Sequence, residues 1–354
     1  MEIPLIVQFV IAIASLIVVH ELGHLLAAKL MRIPVEEFGI GFPPRLVRLF
    51  TLGETEFTLN WIPLGGFVRP KGESDPEVPN GLAAANPWRR IFVLASGPAA
   101  NLLLAVLLYA VIFLQIGGPD LSRVQIFGVE PGSPADQAGL QTDDIILSIN
   151  GEATNSTDEL HNLIYAHLGE TITLNYERHG QTRTVELIPR DPPPQSGAIG
   201  IAMGHPRVPM GALQALYFGG QTTDEIIQAL AELPGQLMGS ENSGEEGRLI
   251  GYKGMFDIFT EVRAADTELA EEVPAAINTL SFFASISISL GILNLVPIPA
   301  LDGGRILFAI PEIIFGRRIP PAYENAINLV GLTALFLLMI YINLQDFLNP
   351  ISLP

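Results

Sequence analysis

The stretch V-V-H-E-L-G-H-L-L-A-A, from Val18 to Ala28, carries side chains whose types and spacing suit a chemical site. His20 and His24 are four residues apart, so on a helix both imidazoles lie on one face. That spacing lets two ring nitrogens reach one Zn²⁺ at about 2.0–2.1 Å each. Glu21 lies beside the first histidine and can serve as general base towards a water molecule held by the metal. The pattern therefore predicts a metal-dependent hydrolytic site.

The surroundings of this motif are unusual for such a site. The run from Ile3 to Val19 is apolar without a charge, and Leu25 to Ala28 continues it. Because about 20 apolar residues cross a bilayer, the motif falls inside a predicted membrane span. Ionisable side chains at that depth are costly and usually mark function. The alternative is a chance match, which would leave two histidines and a glutamate in lipid without a role.

The composition indicates a membrane protein and excludes other classes of protein. Of the 354 residues, 49% are hydrophobic and 16% are charged, and the mean hydropathy is +0.39. There is no cysteine, so a metal must be held by His, Asp or Glu. The net charge of −18 argues against nucleic acid, whose phosphates require a basic surface. Met1-Glu2 supplies no basic region, so a cleaved signal peptide is not expected.

Four apolar segments are long enough to span a bilayer. They run from Ile3 to Leu30, Ile91 to Ile116, Ala275 to Val296, and Ala326 to Ile342. Lysine and arginine collect between the first two segments and just after the third, and such loops favour the cytoplasmic side. Both termini and the long central region are therefore predicted to lie outside.

The first of these loops contains a segment with strand character. Glu54 to Trp61 alternates polar and apolar residues, which predicts a half-exposed strand. It runs into the apolar segment Ile62 to Val68, which is interrupted by Pro63 and by the pair Gly65-Gly66. Two interpretations stay open. The segment is either a plain cytoplasmic hairpin or a re-entrant β-element whose free edge accepts an extended peptide.

A soluble module is predicted between the second and third apolar segments. Its sequence E-P-G-S-P-A-x-x-A-G-L, followed by D-D-I-I-L-x-I-N-G, resembles a PDZ domain of the bacterial type. PDZ domains bind peptides by strand addition beside a helix, so Val124 to Val129 and the Leu160 face are the expected groove. A stiff linker from Asp191 to Gly197 follows. The acidic stretch Asp224 to Glu272 is interpreted as a solvated face with short amphipathic pieces.

Polar residues near the ends of the apolar segments need partners inside a bundle. Asn101 follows a run of small residues in the second segment, and an interhelical role is favoured over a catalytic one. The third segment ends at two prolines, Pro297 and Pro299, which break a helix. Asp302 follows them, and two interpretations are open: it terminates a helix, or it supplies an oxygen ligand to a zinc site with one open position.

The two separated motifs together resemble those of the site-2 protease family of intramembrane zinc metalloproteases. The motifs are His20-Glu-Leu-Gly-His24 and Asn294-x-x-Pro-x-Pro-x-Leu-Asp302-Gly, and the resemblance covers nearly the whole chain. It implies that His20, His24 and Asp302 bind Zn²⁺ and that Glu21 is the catalytic base. Four further residues are implied to position an unwound substrate helix: Asn294, Pro297, Gly65 and Gly66.

The implied fold is a polytopic α-helical membrane protein with four transmembrane helices, a membrane-associated β-element and an inserted α/β PDZ domain. Residues 1–118 and 275–354 would form the two halves of the protease core, 119–205 the PDZ domain, and 206–274 an acidic linker with amphipathic pieces. One departure is that some relatives carry two PDZ modules, whereas this chain has one. The acidic stretch also has no counterpart in the family pattern.

The implied function is zinc-dependent cleavage of transmembrane segments in regulated intramembrane proteolysis, of the branch that cuts anti-sigma factors and remnant signal peptides. The expected partners are transmembrane protein substrates, peptide or protein ligands of the PDZ domain, and the lipid bilayer, with no nucleic acid. The expected location is the inner (plasma) membrane, with the PDZ domain outside the cytoplasm and the active site towards the cytoplasmic side. The alternative function is a catalytically inactive, membrane-anchored PDZ scaffold.

Overall fold

The computed structural model describes residues 3–239, 249–268 and 276–350. The segments 240–248 and 269–275, which belong to the predicted acidic linker and the start of the third apolar segment, lie outside the described residues. The chain divides into two compact units. We call Met1–Ile112 with Ala212–Pro354 the core unit, and Phe113–Gly211 the inserted unit.

The described residues form helices and strands in the following order. They are α1 (Leu5–Leu30), β1 (Val35–Leu52), β2 (Thr55–Pro70), α2 (Pro87–Ile116), β3 (Gly118–Pro119), β4 (Val124–Val129), α3 (Pro134–Gln137), β5 (Ile145–Ile149), β6 (Glu152–Ala153), α4 (Thr157–Ala166), β7 (Ile172–Arg178), β8 (Gln181–Leu187), β9 (Ile201–Gly204), β10 (Arg207–Val208), α5 (Ala212–Gly239), α6 (Tyr252–Glu268), α7 (Ile277–Leu295), α8 (Asp302–Phe315) and α9 (Pro321–Leu348).

Four of the helices, α1, α2, α7 and α9, are long and apolar enough to cross a membrane. They coincide with the four predicted apolar segments. Pro321 occupies the first turn of α9, where its missing N–H is not needed. Leu329, Val330, Leu332 and Phe336 of α9 are all exposed, so this helix presents apolar side chains outward.

Strands β1 and β2 form an antiparallel hairpin that is longer than the predicted strand. The strand expected at Glu54 to Trp61 is present, but β2 continues through Pro63 and the glycine pair to Pro70. The pairing partner β1 was not predicted, because Pro43-Pro44 and the charges around it gave no clear alternation.

Both hairpin strands bend, so that the two strands form four neighbouring segments. Phe38 lies beside Val68 on one side and beside Phe57 on the other. The segment 35–40 therefore lies between 66–70 and 56–59, and 45–52 pairs with the far side of 55–60. Among the described residues, segment 66–70 has a strand partner on one side only. It is an edge of this small sheet.

The inserted unit is a sheet in the order β8-β7-β5-β4-β9, with α4 packed against it. Strand β7 shows the alternation of a half-buried strand, with Ile172, Leu174 and Tyr176 facing the core. Helix α4 begins at Thr157, because the Ser156 hydroxyl accepts a hydrogen bond from the backbone N–H of Glu159.

The prediction that Val124 to Val129 and the Leu160 face form the peptide groove of this unit is wrong. Strand β4 lies inside the sheet, where Gln125 pairs with Ile145 on one side and with Gly204 on the other. Its backbone groups are occupied along both edges, so it cannot accept an added strand. Leu160 is completely buried in the core and does not line a groove. The sheet ends at β9, a short strand that the sequence analysis did not predict.

A candidate zinc centre and active site

Helix α1 stacks the two histidines of the H-E-x-x-H motif on one face. His20 and His24 are each 8% exposed, and their ring centroids are 4.8 Å apart. Asp302, the first residue of α8, meets them from a distant part of the sequence. Its Oδ2 is 3.1 Å from Nε2 of His20 and 3.3 Å from Nε2 of His24, and the two Nε2 atoms are 3.1 Å apart.

These three distances fit a zinc ion. Ligands about 2.0–2.1 Å from a tetrahedral metal are separated from one another by about 3.3 Å. Within the part of the chain that the structure describes, His20, His24 and Asp302 form a cluster able to hold a metal ion. Two neutral imidazoles and a carboxylate also match the donor set of zinc sites that keep one position open for catalysis.

Helix α2 leaves room for a metal at this point. A Cβ atom at Gly97 would lie 2.3 Å from Nε2 of His24 and 2.8 Å from Nε2 of His20. Any side chain larger than hydrogen would therefore occupy the space in front of the two ligand nitrogens. The run of small residues that precedes Asn101 in α2 thus leaves the site clear.

The outer ring nitrogens of both histidines have neighbours on α2. Nδ1 of His24 lies 2.8 Å from the backbone carbonyl oxygen of Val93. Nδ1 of His20 lies 3.4 Å from Nδ2 of Asn101. Both rings thus direct Nε2 towards Asp302, which is the orientation that a shared metal requires.

The turn before α8 fixes the position of Asp302. Asn328 of α9 accepts a hydrogen bond from the backbone N–H of Ala300, at 3.1 Å. A Cβ at Gly303 would lie 2.3 Å from the carbonyl oxygen of Leu295, so only glycine allows α8 to pack this closely beneath the end of α7. Burial alone would raise the pKa of the Asp302 carboxyl, but the two histidines hold this pKa well below its usual range. The carboxylate is therefore ionised and available as a ligand.

Glu21 faces a cavity of about 390 Å³ that also contains His20, His24 and Asp302. A second cavity of about 380 Å³ shares His20 and Glu21 with the first. Glu21 does not belong to the cluster of potential ligands. The site therefore has space beside both the metal-binding cluster and a separate carboxylate.

The sequence-predicted substrate residues are only partly brought together. Gly66 and Asn294 line both cavities, and Gly65 lines the second. A Cβ at Gly66 would lie 3.2 Å from Cγ of Glu21, so the edge segment 66–70 packs directly against that side chain. Pro297 is exposed and does not line either cavity.

Several residues of the site were not singled out from sequence. Phe42 lines both cavities, and Tyr252 of α6 lines the second. Neither has a sequence signal that distinguishes it from other aromatic residues. Gly97 had a usable signal, because it lies within the small-residue run of an apolar helix.

Comparison with known proteins identifies the family of this chain. The family model described as peptidase family M50 matches residues 8–338. The chain belongs to peptidase family M50. This M50 protein is a zinc metalloprotease, consistent with the residues gathered at the site.

Relatives of this M50 chain extend over almost its full length. A protein of Clostridium perfringens is 32% identical over 96% of this chain and 98% of its own length. The zinc metalloprotease RasP of Geobacillus kaustophilus is 28% identical over 96% of this chain and 97% of its own length. A PDZ domain of an SdrC-like protein from Listeria monocytogenes is 25% identical, covering 23% of this chain and 85% of that domain, with a TM-score of 0.21.

Proposed function

We propose that this M50 protein is an intramembrane endopeptidase in which His20, His24 and Asp302 bind zinc and Glu21 is the general base. One observation carries the proposal. Nitrogen and oxygen atoms from two distant helices converge at 3.1–3.3 Å, and they do so beside a carboxylate that is not needed as a ligand. One of these helices, α1, is long and apolar enough to cross a membrane.

The residues around the metal have separable tasks in peptide-bond hydrolysis. Zinc, when bound, supplies Lewis-acid polarisation of the scissile carbonyl and lowers the pKa of water. Glu21 faces the same cavity and takes the proton from the attacking water. Asn294 also faces this cavity and offers an amide to the substrate backbone.

The edge segment 66–70 is suited to hold the substrate in an extended form. A helical substrate hides its scissile amide in internal hydrogen bonds, so it must unwind before water attacks. Segment 66–70 has an unpaired edge next to Glu21, where backbone addition would keep the substrate extended. A Cβ at Gly65 would lie 2.2 Å from the ring of Phe42, and a Cβ at Gly66 would lie 3.2 Å from Cγ of Glu21, so glycine at these positions lets the strand pack against both side chains. This is the re-entrant interpretation of the hairpin.

Exposed apolar side chains support insertion in a bilayer. The hairpin exposes Phe42, Phe50 and Trp61, which are 47%, 54% and 64% exposed. Such a surface is unfavourable in water and suits the apolar boundary of a membrane. The distribution of lysine and arginine supports a cytoplasmic position for this hairpin and an extracytoplasmic position for the inserted unit.

The inserted unit, with its predicted domain at 119–205, is proposed to bind peptides or proteins as PDZ domains do. Strand β9 is the free edge beside β4, so Ile201–Gly204 replaces Val124–Val129 as the expected site of strand addition. The proposed substrates are transmembrane proteins of the anti-sigma or remnant-signal-peptide type. The alternative, an inactive scaffold, is disfavoured because the cluster and Glu21 are both present.

The proposal is tested with purified full-length protein in lipid nanodiscs and a model transmembrane substrate. Glu21→Gln should keep one zinc per chain and reduce cleavage by about 10²-fold or more, because a general base is lost. Glu36→Gln, a neighbouring acidic residue outside the site, is the matched control and should cleave normally. Unchanged cleavage by Glu21→Gln would contradict the assigned base, and a wild-type protein without zinc or cleavage would favour the scaffold.

A further inference from the structure

Asn101 of α2 is the most deeply buried side-chain amide near the proposed zinc centre. It is 1% exposed, and its Nδ2 is 3.4 Å from Nδ1 of His20. Its Oδ1 is buried and has no hydrogen-bond partner among the described residues. Among the described residues, the one side-chain hydrogen bond of this amide is therefore with a proposed zinc ligand.

A bound metal would determine which nitrogen of His20 carries a proton. Nε2 of His20 lies 3.1 Å from Oδ2 of Asp302 and from Nε2 of His24, so these three atoms would hold a shared metal. A neutral imidazole that uses Nε2 as a ligand carries its proton on Nδ1. That Nδ1–H must meet an acceptor, whereas Nδ2 of Asn101 is a donor. Oxygen and nitrogen of an amide exchange places when the amide turns by 180°.

We propose that Asn101 is a positioning residue for the zinc site. Its Oδ1 accepts the Nδ1–H of His20 and thereby holds the tautomer and ring orientation that leave Nε2 free for zinc. The inference rests on the proposed function. An amide also satisfies the metal-free ring, because Nδ2 donates to Nδ1 when that nitrogen is unprotonated. Asn101 therefore serves both states of the histidine.

The geometry of α2 supports this assignment. Val93, Gly97 and Asn101 are spaced four residues apart and form one row along the helix. Val93 offers its carbonyl to His24, Gly97 clears the space before the ligand nitrogens, and Asn101 faces His20. The hydroxyl of Ser287 donates to the backbone carbonyl of Asn101 at 2.8 Å, which ties this point of α2 to α7. A single helical row thus supports both histidines.

The test compares zinc affinities of full-length variants in detergent, measured by competition with a chromophoric chelator. Asn101→Leu removes both amide functions at similar volume and should weaken zinc binding about 10–100-fold. Asn101→Asp keeps an acceptor for Nδ1–H and should bind zinc within about threefold of wild type or more tightly. Asn278→Leu is the matched control, because Asn278 lies at the start of α7 and lines neither cavity of the site. It should retain wild-type zinc affinity.

A spectroscopic measurement separates positioning from packing. The absorption of bound Co²⁺ reports the ligand geometry, and it should be altered in Asn101→Leu but similar to wild type in Asn101→Asp. Wild-type zinc affinity in Asn101→Leu, or equal losses in both variants, would overturn the inference. If Asn101→Leu does not fold, a folded Asn101→Asp that loses tenfold or more in affinity overturns it. A wild-type protein that binds no zinc refutes the proposed function instead.

Discussion

His20, His24 and Asp302 differ in how much of their placement depends on the rest of the molecule. The two histidines are brought together by one helical turn, whereas the carboxylate comes from a second helix and a proline-containing turn. The carboxylate closes the cluster at 3.1–3.3 Å from both ring nitrogens. Asp302 is therefore the residue at which metal binding and tertiary structure are most directly coupled.

We predict that Asp302→Ala weakens zinc binding more strongly than the loss of a supporting hydrogen bond does. An outer partner of a ligand typically accounts for about 10–100-fold in affinity, and removal of the ligand itself should exceed that range. Metal content after dialysis against a graded series of chelator concentrations measures the effect. Glu21→Gln, which removes no proposed ligand, is the comparison. Full zinc content and activity in Asp302→Ala would show that the third ligand is a different residue.

A second prediction concerns Gly97, which contributes space rather than a functional group. In Gly97→Ala, the new methyl would lie 2.3 Å from Nε2 of His24, so α2 must move away or the imidazoles must turn. Zinc binding should fall by about 100-fold, with a smaller effect on folding. Gly220→Ala is the control, since a Cβ there meets open space. Equal zinc affinities of the two variants would mean that the site relaxes without loss.

The hairpin of β1 and β2 contacts the proposed active site along one edge. Segment 66–70 lies against Glu21, and the backbone of Val68 is within hydrogen-bonding reach of that carboxylate. Backbone groups of alternate residues in a strand point to the same side. Gly66 and Val68 both line the cavity of Glu21, so we expect their backbone groups to point into it and those of Phe67 to point towards the neighbouring segment 35–40.

This alternation distinguishes proline substitutions in the edge segment. Val68→Pro removes an N–H that faces the cavity and leaves the hairpin ladder in place. It should retain zinc and reduce proteolysis by about tenfold or more, since one substrate contact and one neighbour of Glu21 are lost. Val68→Ala keeps the N–H and should remain within about threefold of wild type. A helix-destabilised substrate should not fully rescue Val68→Pro. Equal cleavage by Val68→Pro and wild type would favour a plain hairpin.

The two ends of the inserted unit lie next to each other. Gly118–Pro119 pairs with Arg207–Val208, and the backbone N–H of Asp120 donates to the carbonyl of Pro206 at 2.8 Å. Its core is formed from residues of the unit itself. A module whose two ends are adjacent can be replaced by a short linker with little strain on the remaining chain.

We predict that the inserted unit selects substrates and does not take part in the chemistry. Replacing residues 120–205 by a short Gly-Ser linker should leave cleavage of a short transmembrane substrate measurable, while changing which full-length membrane proteins are cut. Quantitative proteomics of membranes containing the deletion, the wild type and Glu21→Gln measures this selection. If the deletion variant folds and binds zinc but no longer cuts the short substrate, the unit has a direct catalytic role.

The amino-acid sequence by itself determined those features that depend on short-range order. The apolar segments that become α1, α2, α7 and α9 were predictable because helix length and hydropathy are properties of a continuous stretch. His20 and His24 were predictable as a pair because a helix brings i and i+4 together. Asp302 could be proposed from its residue type as one of two interpretations, and the family resemblance then assigned it to the site, since no local rule relates it to α1.

Only the tertiary structure decided which distant groups meet. It placed β9 beside β4, and therefore moved the free edge of the inserted unit away from Val124–Val129. It also put Gly97 and Asn101 against the two histidines, although the sequence had indicated only an interhelical role for Asn101. The physical reason is that strand order and helix rotation depend on contacts between residues far apart in the chain. Hydrophobic pattern specifies which face of an element is buried, but it does not specify the partner against which that face is buried.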